Sequence, residues 1–119
     1  MGLDVTNDPT TGFDRADLER IHTIYTPAAS LAAGITEFAL QHHDVCALHD
    51  PLALAVVLDR TLFRFESGSV SVDTTPDDEM YGRTLLYRET ESGDRAAEIA
   101  IMADGPRFKE LFLSRLEEY

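Results

Sequence analysis

Seven consecutive apolar residues, Leu52-Ala53-Leu54-Ala55-Val56-Val57-Leu58, follow the polar run His49-Asp50-Pro51. At the helical period seven residues point in every direction around the axis, so a helix here has no polar face and needs cover on all sides. The helix start is written just before it. Asp is a favoured N-cap and Pro a favoured first helical residue, so Asp50 reads as the cap and Pro51 as the first turn. On that reading His49 merely precedes them. An imidazole beside a carboxylate at the mouth of an apolar helix is also a candidate for chemistry, and the local sequence leaves both readings open.

The remaining elements must supply the cover. Gly2-Leu3-Asp4-Val5-Thr6 reads as a short strand, and Asn7 to Gly12 as a turn-rich loop. Asp14 can cap a helix whose apolar face is Leu18, Ile21 and Ile24 or Tyr25, and Thr26-Pro27 repeats the cap-plus-proline signal. In the helix after Pro27, Leu31, Ile35 and Phe38 fall at i, i+4 and i+7, which predicts an amphipathic, core-facing element. Gln41-His42-His43-Asp44 breaks that pattern; His42 and His43 read as solvated residues of a helix end, where cations are favoured. Beyond Leu58 the period changes to two. Ser69 to Val72, Arg83 to Tyr87 and Ala97 to Ile101 predict strands, and a closing helix from near Pro106 carries Phe108, Leu111, Phe112 and Leu116 on one face. The predicted order is β-α-α-α-β-β-β-α, an α/β arrangement. An orphan first strand and a helix apolar all round need more neighbours than these elements provide, so residues 1–119 read as a single domain or as a fragment of a larger fold.

Composition narrows the partners. Twenty-two acids against ten bases give a net charge of -12, which argues against nucleic acid or an anionic membrane. Nine of the bases are Arg and only Lys109 is a lysine. This acid excess suggests a surface adapted to high salt, where screening removes its self-repulsion. An apolar fraction of 44% fits a folded chain, and no apolar stretch reaches the roughly 18 residues of a membrane span, so the expected setting is the cytoplasm. The single cysteine, Cys46, excludes an internal disulfide and reads as a small buried hydrophobe.

Several segments, taken in order, resemble the C-terminal part of the inosine-uridine-preferring nucleoside hydrolases. They are Gly2 to Thr6; His49-Asp50-Pro51-Leu52-Ala53 with Leu58-Asp59 and Leu62-Phe63; Val70 to Asp73; Gly82 with Thr84; and Ala103-Asp104 with Phe108 and Leu111. The resemblance implies a partial open Rossmann-like fold of that family, usually oligomeric, with a bound Ca²⁺ and hydrolysis of the N-glycosidic bond of ribonucleosides. It also implies roles: His49 as the acid that protonates the departing base, and Asp50 as a carboxylate ligand of the calcium. Each role is chemically sound. Protonating a nucleobase removes charge that develops as it leaves, and a helix N-terminus disfavours imidazolium and so makes His49 a readier donor. Ca²⁺ takes hard oxygen ligands such as a carboxylate.

The chain departs from the family in one large respect. The family's Asp-x-Asp-x-x-x-Asp-Asp signature, which supplies most calcium carboxylates and the base that activates water, is not in this sequence. Ser71-Val72-Asp73-Thr74-Thr75-Pro76-Asp77-Asp78 has the spacing but not the first Asp, and its Pro and Asp residues are ordinary turn formers. Related enzymes often place a base-stacking aromatic ahead of the His-Asp-Pro run, where this chain offers His42 and His43. The sequence therefore predicts the C-terminal segment of a ribonucleoside N-glycosidase that is inactive alone and does not bind Ca²⁺ tightly. Its expected partners are a complementary N-terminal half, a nucleoside once complete, and further copies of itself. The alternatives are a non-catalytic remnant serving interaction or oligomerisation, and an unrelated acidic binding domain.

Overall fold

Side-chain caps start most of the helices. The computed structural model describes residues 1–76, 79–87 and 97–118. Helix α1 spans Leu3–Thr6, α2 Arg15–Ile21, α3 Pro27–Ala39, α4 His49–Leu58 and α5 Gly105–Glu118; strands β1, β2 and β3 span Phe63–Val72, Thr84–Tyr87 and Ala97–Ala103. Single 3-10 turns at Pro9–Thr11 and Arg60–Leu62 link α1 to α2 and α4 to β1. Asp14 closes a capping box on α2, its carboxylate accepting the amides of Ala16 and Asp17 while Asp17 accepts that of Asp14. Thr26 Oγ1 accepts the amide of Ala29 at 3.1 Å to start α3 and donates to Leu116 O at 2.7 Å, so one hydroxyl caps α3 and ties it to α5.

The sheet is open and antiparallel, in the order β2-β1-β3. Gly82, at φ 83°, makes the return from β1 to β2, a conformation that favours glycine. Two apolar clusters sit beside this sheet. Phe13, Leu18, Ile21, Ala29, Ala33 and Leu113 fill the space among α2, α3 and α5. Val5, Leu52, Ala55, Phe63, Ala100 and Phe108 join α1, α4, α5 and the sheet. Phe112 belongs to the rim of both and sets its ring edge-on to Phe13 at 5.2 Å and to Phe108 at 6.2 Å. The chain is α/β, and the predicted elements recur in their predicted order with one exception.

That exception is the first. Gly2 to Thr6 is not a strand but the short helix α1, with Asn7 N–H donating to Leu3 O at 2.8 Å. Val5 and Thr6 are both buried, which two neighbouring strand residues on opposite faces could not be against a one-sided core. The face of α3 is also corrected. Leu31, Ile35 and Phe38, expected in the core, are 67%, 58% and 67% exposed, and the small residues Ala29, Ala33 and Thr36 are buried instead. Both stripes have i, i+4, i+7 spacing; the small one lets α3 approach its neighbours closely. Helix α4 starts two residues before Pro51. Its N-cap is Leu48, no side chain caps it, and Asp50 lies inside the first turn, so the cap reading of Asp50 is overturned. Pro51 is tolerated there because the N–H it lacks would have no intrahelical partner. Leu52 and Ala55 of α4 are buried, whereas Leu54, Val57 and Leu58 are 60%, 80% and 60% exposed, so this chain covers only part of the all-apolar helix.

The overall shape agrees. The radius of gyration is 17.2 Å and the extents are 53 × 34 × 19 Å, against about 13.5 Å for a compact chain of this length. Among the described residues no helix is long and apolar enough to cross a membrane.

Candidate active site

His49 and Asp50 are exposed residues of the first turn of α4. Among the described residues neither makes a hydrogen bond or an ion pair, so the fold uses neither side chain as a structural contact. His49 borders a groove of about 400 Å³ formed where the end of α1, the segment after α3 and the start of α4 meet, with His43 and Thr6 also on its lining. Thr6 is buried, and its Oγ1 has no hydrogen-bond partner among the described residues. A buried hydroxyl without a partner is costly, and nothing in the sequence pattern announces it.

The neighbouring candidates fall into place around this turn. Cys46 is buried and free, and its backbone exchanges hydrogen bonds with Phe13 at 2.8 and 2.9 Å, as suits a packed hydrophobe. His42 and His43 are exposed just past α3, as expected. The sequence offered only these two at the place of a stacking aromatic. The structure adds Phe38, whose ring stands edge-on to His42 at 5.8 Å with both side chains exposed; it was read as core because its spacing is that of a buried stripe.

Asp8, Asp14, Asp59 and Asp73 are each held below the ordinary 3.8, through hydrogen bonds from Thr10, Asp17, Thr61 and Thr75 respectively. All four are turn or cap carboxylates. Asp73 Oδ1 accepts the amide of Thr75 at 2.9 Å, which accords with the turn reading of the Ser71 to Asp78 stretch; Asp77 and Asp78 lie outside the described residues. A groove of about 790 Å³ is bordered by Arg20, Asp59, Arg107, Lys109 and Glu110. Its cations are each paired: Arg20 with Glu110 at 2.9 Å, Arg107 with Asp59 at 3.3 Å, and Lys109 with Asp17, which lies outside the groove, at 2.5 Å.

Among the described residues no group of three His, Cys, Asp or Glu side chains could bind a metal ion. Asp50 alone offers one or two of the six to eight oxygens that calcium takes.

Residues 1–110 match the family described as inosine-uridine preferring nucleoside hydrolase. The chain is 29% identical over 126 aligned positions to the pyrimidine-specific ribonucleoside hydrolase RihA of Shewanella woodyi, covering 99% of this chain and 39% of that protein. It superposes on a purine-preferring ribonucleoside hydrolase from Gardnerella vaginalis with a TM-score of 0.76 and 30% identity, over 98% of this chain and 38% of the other. A plant nucleoside hydrolase, the PpNRh1 enzyme, shares the fold with a TM-score of 0.80 at 20% identity, covering 100% and 41%. The chain thus spans about two fifths of the length of these relatives. The match takes in α1, the first turn of α4 and all three strands, and on it the chain belongs to the inosine-uridine preferring nucleoside hydrolase family.

Proposed function

We propose that this chain is the C-terminal segment of a ribonucleoside hydrolase, that it contributes His49 and Asp50 to a site completed by further polypeptide, and that it is inactive alone. The observation that carries the reading is the first turn of α4: two polar side chains within the family-matched residues 1–110, exposed and engaged with nothing else described. In the completed enzyme water attacks the anomeric carbon of the ribose as the N-glycosidic bond breaks through an oxocarbenium-like transition state. His49 donates its proton to a ring nitrogen of the departing base, which leaves neutral rather than as an anion. Asp50 would supply one carboxylate toward the calcium of the complete family enzyme, the other ligands would come from outside this chain, and the ion would supply Lewis acidity toward the attacking water. Purine and pyrimidine nucleosides are both open as substrates, since the relatives include a pyrimidine-specific and a purine-preferring enzyme. A cytoplasmic setting and a salt-adapted surface belong to the same proposal.

The test is hydrolysis of inosine and of uridine, with calorimetric Ca²⁺ titration, on the 119-residue chain and on the chain joined to a matching N-terminal half. The chain alone is expected to do neither. In the joined protein His49→Ala should lower turnover by about 10²–10⁴ with metal binding kept, and Asp50→Ala should weaken metal binding and activity together. Robust turnover by the chain alone overturns its inactivity, and a joined enzyme indifferent to both substitutions overturns the site. The exposed apolar faces of α3 and α4 favour one second reading, a non-catalytic interaction module; a joined protein that assembles without hydrolysing either nucleoside would establish it.

A further inference from the structure

The exposed residues of α3 and α4 do not form separate patches. Two grooves, of about 310 and 260 Å³, lie side by side and share Pro51, Phe112 and Leu116. One is bordered by Leu31 and Ile35 of α3, the other by Leu54 and Leu58 of α4. Together they make a continuous trough with α3 and α4 as walls and the α5 residues Phe112 and Leu116 as floor. Only Thr36 and Arg115 interrupt its apolar and cysteine lining. A contiguous apolar surface of this kind on a chain of net charge -12 is a place where something binds.

We infer that the trough receives an apolar element of the remaining nucleoside hydrolase fold, supplied by complementary polypeptide. The inference rests on the reading of this chain as part of that enzyme. The relatives that match it along its whole length hold about three fifths of their own length outside the match, and that length must pack against something. The chain is 19 Å thin in one direction, and among the described residues this trough is a continuous unpartnered apolar feature. Docking here also covers part of what the sequence of α4 demands, on the side that Leu54 and Leu58 leave bare.

The experiment co-expresses the full chain, affinity-tagged, with the portion of the Gardnerella vaginalis enzyme that lies outside the match. Ile35→Arg and Leu54→Arg alter exposed wall residues, and Val72→Arg alters an exposed residue at the end of β1. The portion should be captured, each wall variant should weaken capture at least about tenfold, and Val72→Arg should not. Capture indifferent to both wall variants overturns the inference. So does self-association through the wall residues in sedimentation without capture, which would make a second copy the occupant. Because the heterologous portion could fail to fold, an apolar fluorescent dye is titrated onto the chain alone. Wall variants that leave its binding unchanged also overturn the inference. His49→Ala in the captured complex separates the two readings: hydrolysis indifferent to it, with capture still lost in the wall variants, removes the catalytic reading and leaves the docking face standing.

Discussion

The only lysine of the chain is predicted to be among its most consequential charges. Lys109 of α5 meets Asp17 of α2 at 2.5 Å, with side chains 14% and 9% exposed. Asp17 Oδ2 also accepts the amide of Asp14 at 3.1 Å, closing the capping box that starts α2. Lys109→Met keeps the aliphatic stem and removes the charge, leaving a carboxylate that is nearly buried and has lost its cation. Breaking such a pair typically costs about 3–5 kcal/mol. The retained hydrogen bond from Asp14 and the residual access of water lower this to about 2–3 kcal/mol, or a fall of roughly 8–12 °C in Tm for 119 residues. Urea unfolding followed by helical circular dichroism at fixed ionic strength measures it, with an unchanged slope to show that compactness is kept. Adding Asp17→Asn to Lys109→Met removes the stranded charge, and the double variant should regain at least about 1 kcal/mol over Lys109→Met alone. A loss under about 1 kcal/mol for Lys109→Met, or strict additivity in the double variant, would refute the argument.

Asp14→Ala should cost about 0.5–2 kcal/mol by removing the α2 cap. Because the Asp17 amide holds the Asp14 carboxyl below 3.8, its contribution is complete above that value and is lost as pH falls through the lowered native one. The stability difference between wild type and Asp14→Ala should then be level near neutrality and narrow in acid, and a difference that widens in acid contradicts the sign. Gly105→Ala should destabilise by about 1–3 kcal/mol in thermal melts, since its Cβ would lie 2.3 Å from the backbone oxygen of Thr10, which cannot swing away. A neutral result would mean that α5 is not seated on that turn. With its charge of -12, the chain should melt at higher temperature in molar KCl than in dilute buffer; a flat or falling series removes the salt-adapted reading.

What could be read in the sequence was what local chemistry decides. The caps of α2 and α3 stand at Asp14 and Thr26, as the sequence predicts, because a side-chain oxygen satisfying amides two or three residues on is a short-range event. Faces were harder. In α3 a small stripe and a large stripe share one spacing, and only the rest of the packing decides that Ala29, Ala33 and Thr36 turn inward. Strand β1 was longer than expected because its first half, from Phe63, mixes Phe with Arg, Glu and Gly. Pairing with β3 along Phe63 to Gly68 holds it extended where its own alternation is weak.

The pair His49-Asp50 was the hardest case, since a sufficient local explanation lay at hand and proved to be the wrong one. An Asp before a Pro should cap, yet the cap position of α4 falls on Leu48, which packs at the rim of both apolar clusters. Placing a polar cap there would give the helix about 1 kcal/mol and remove a large side chain from the core, so the core keeps Leu48 and α4 starts uncapped. Asp50 is thereby two residues too late to cap, and its carboxylate at the N-terminal end gains only the weak attraction of the helix dipole. His49, at the positive end, gains nothing from it. Beyond that weak attraction the stability of α4 explains neither residue type at its position. The same helix that leaves Leu54, Val57 and Leu58 bare on one side leaves His49 and Asp50 unengaged at its start. A single complementary surface that covered the first and approached the second would account for both, which is why docking at the trough and chemistry at His49 are to be tested on one assembled protein.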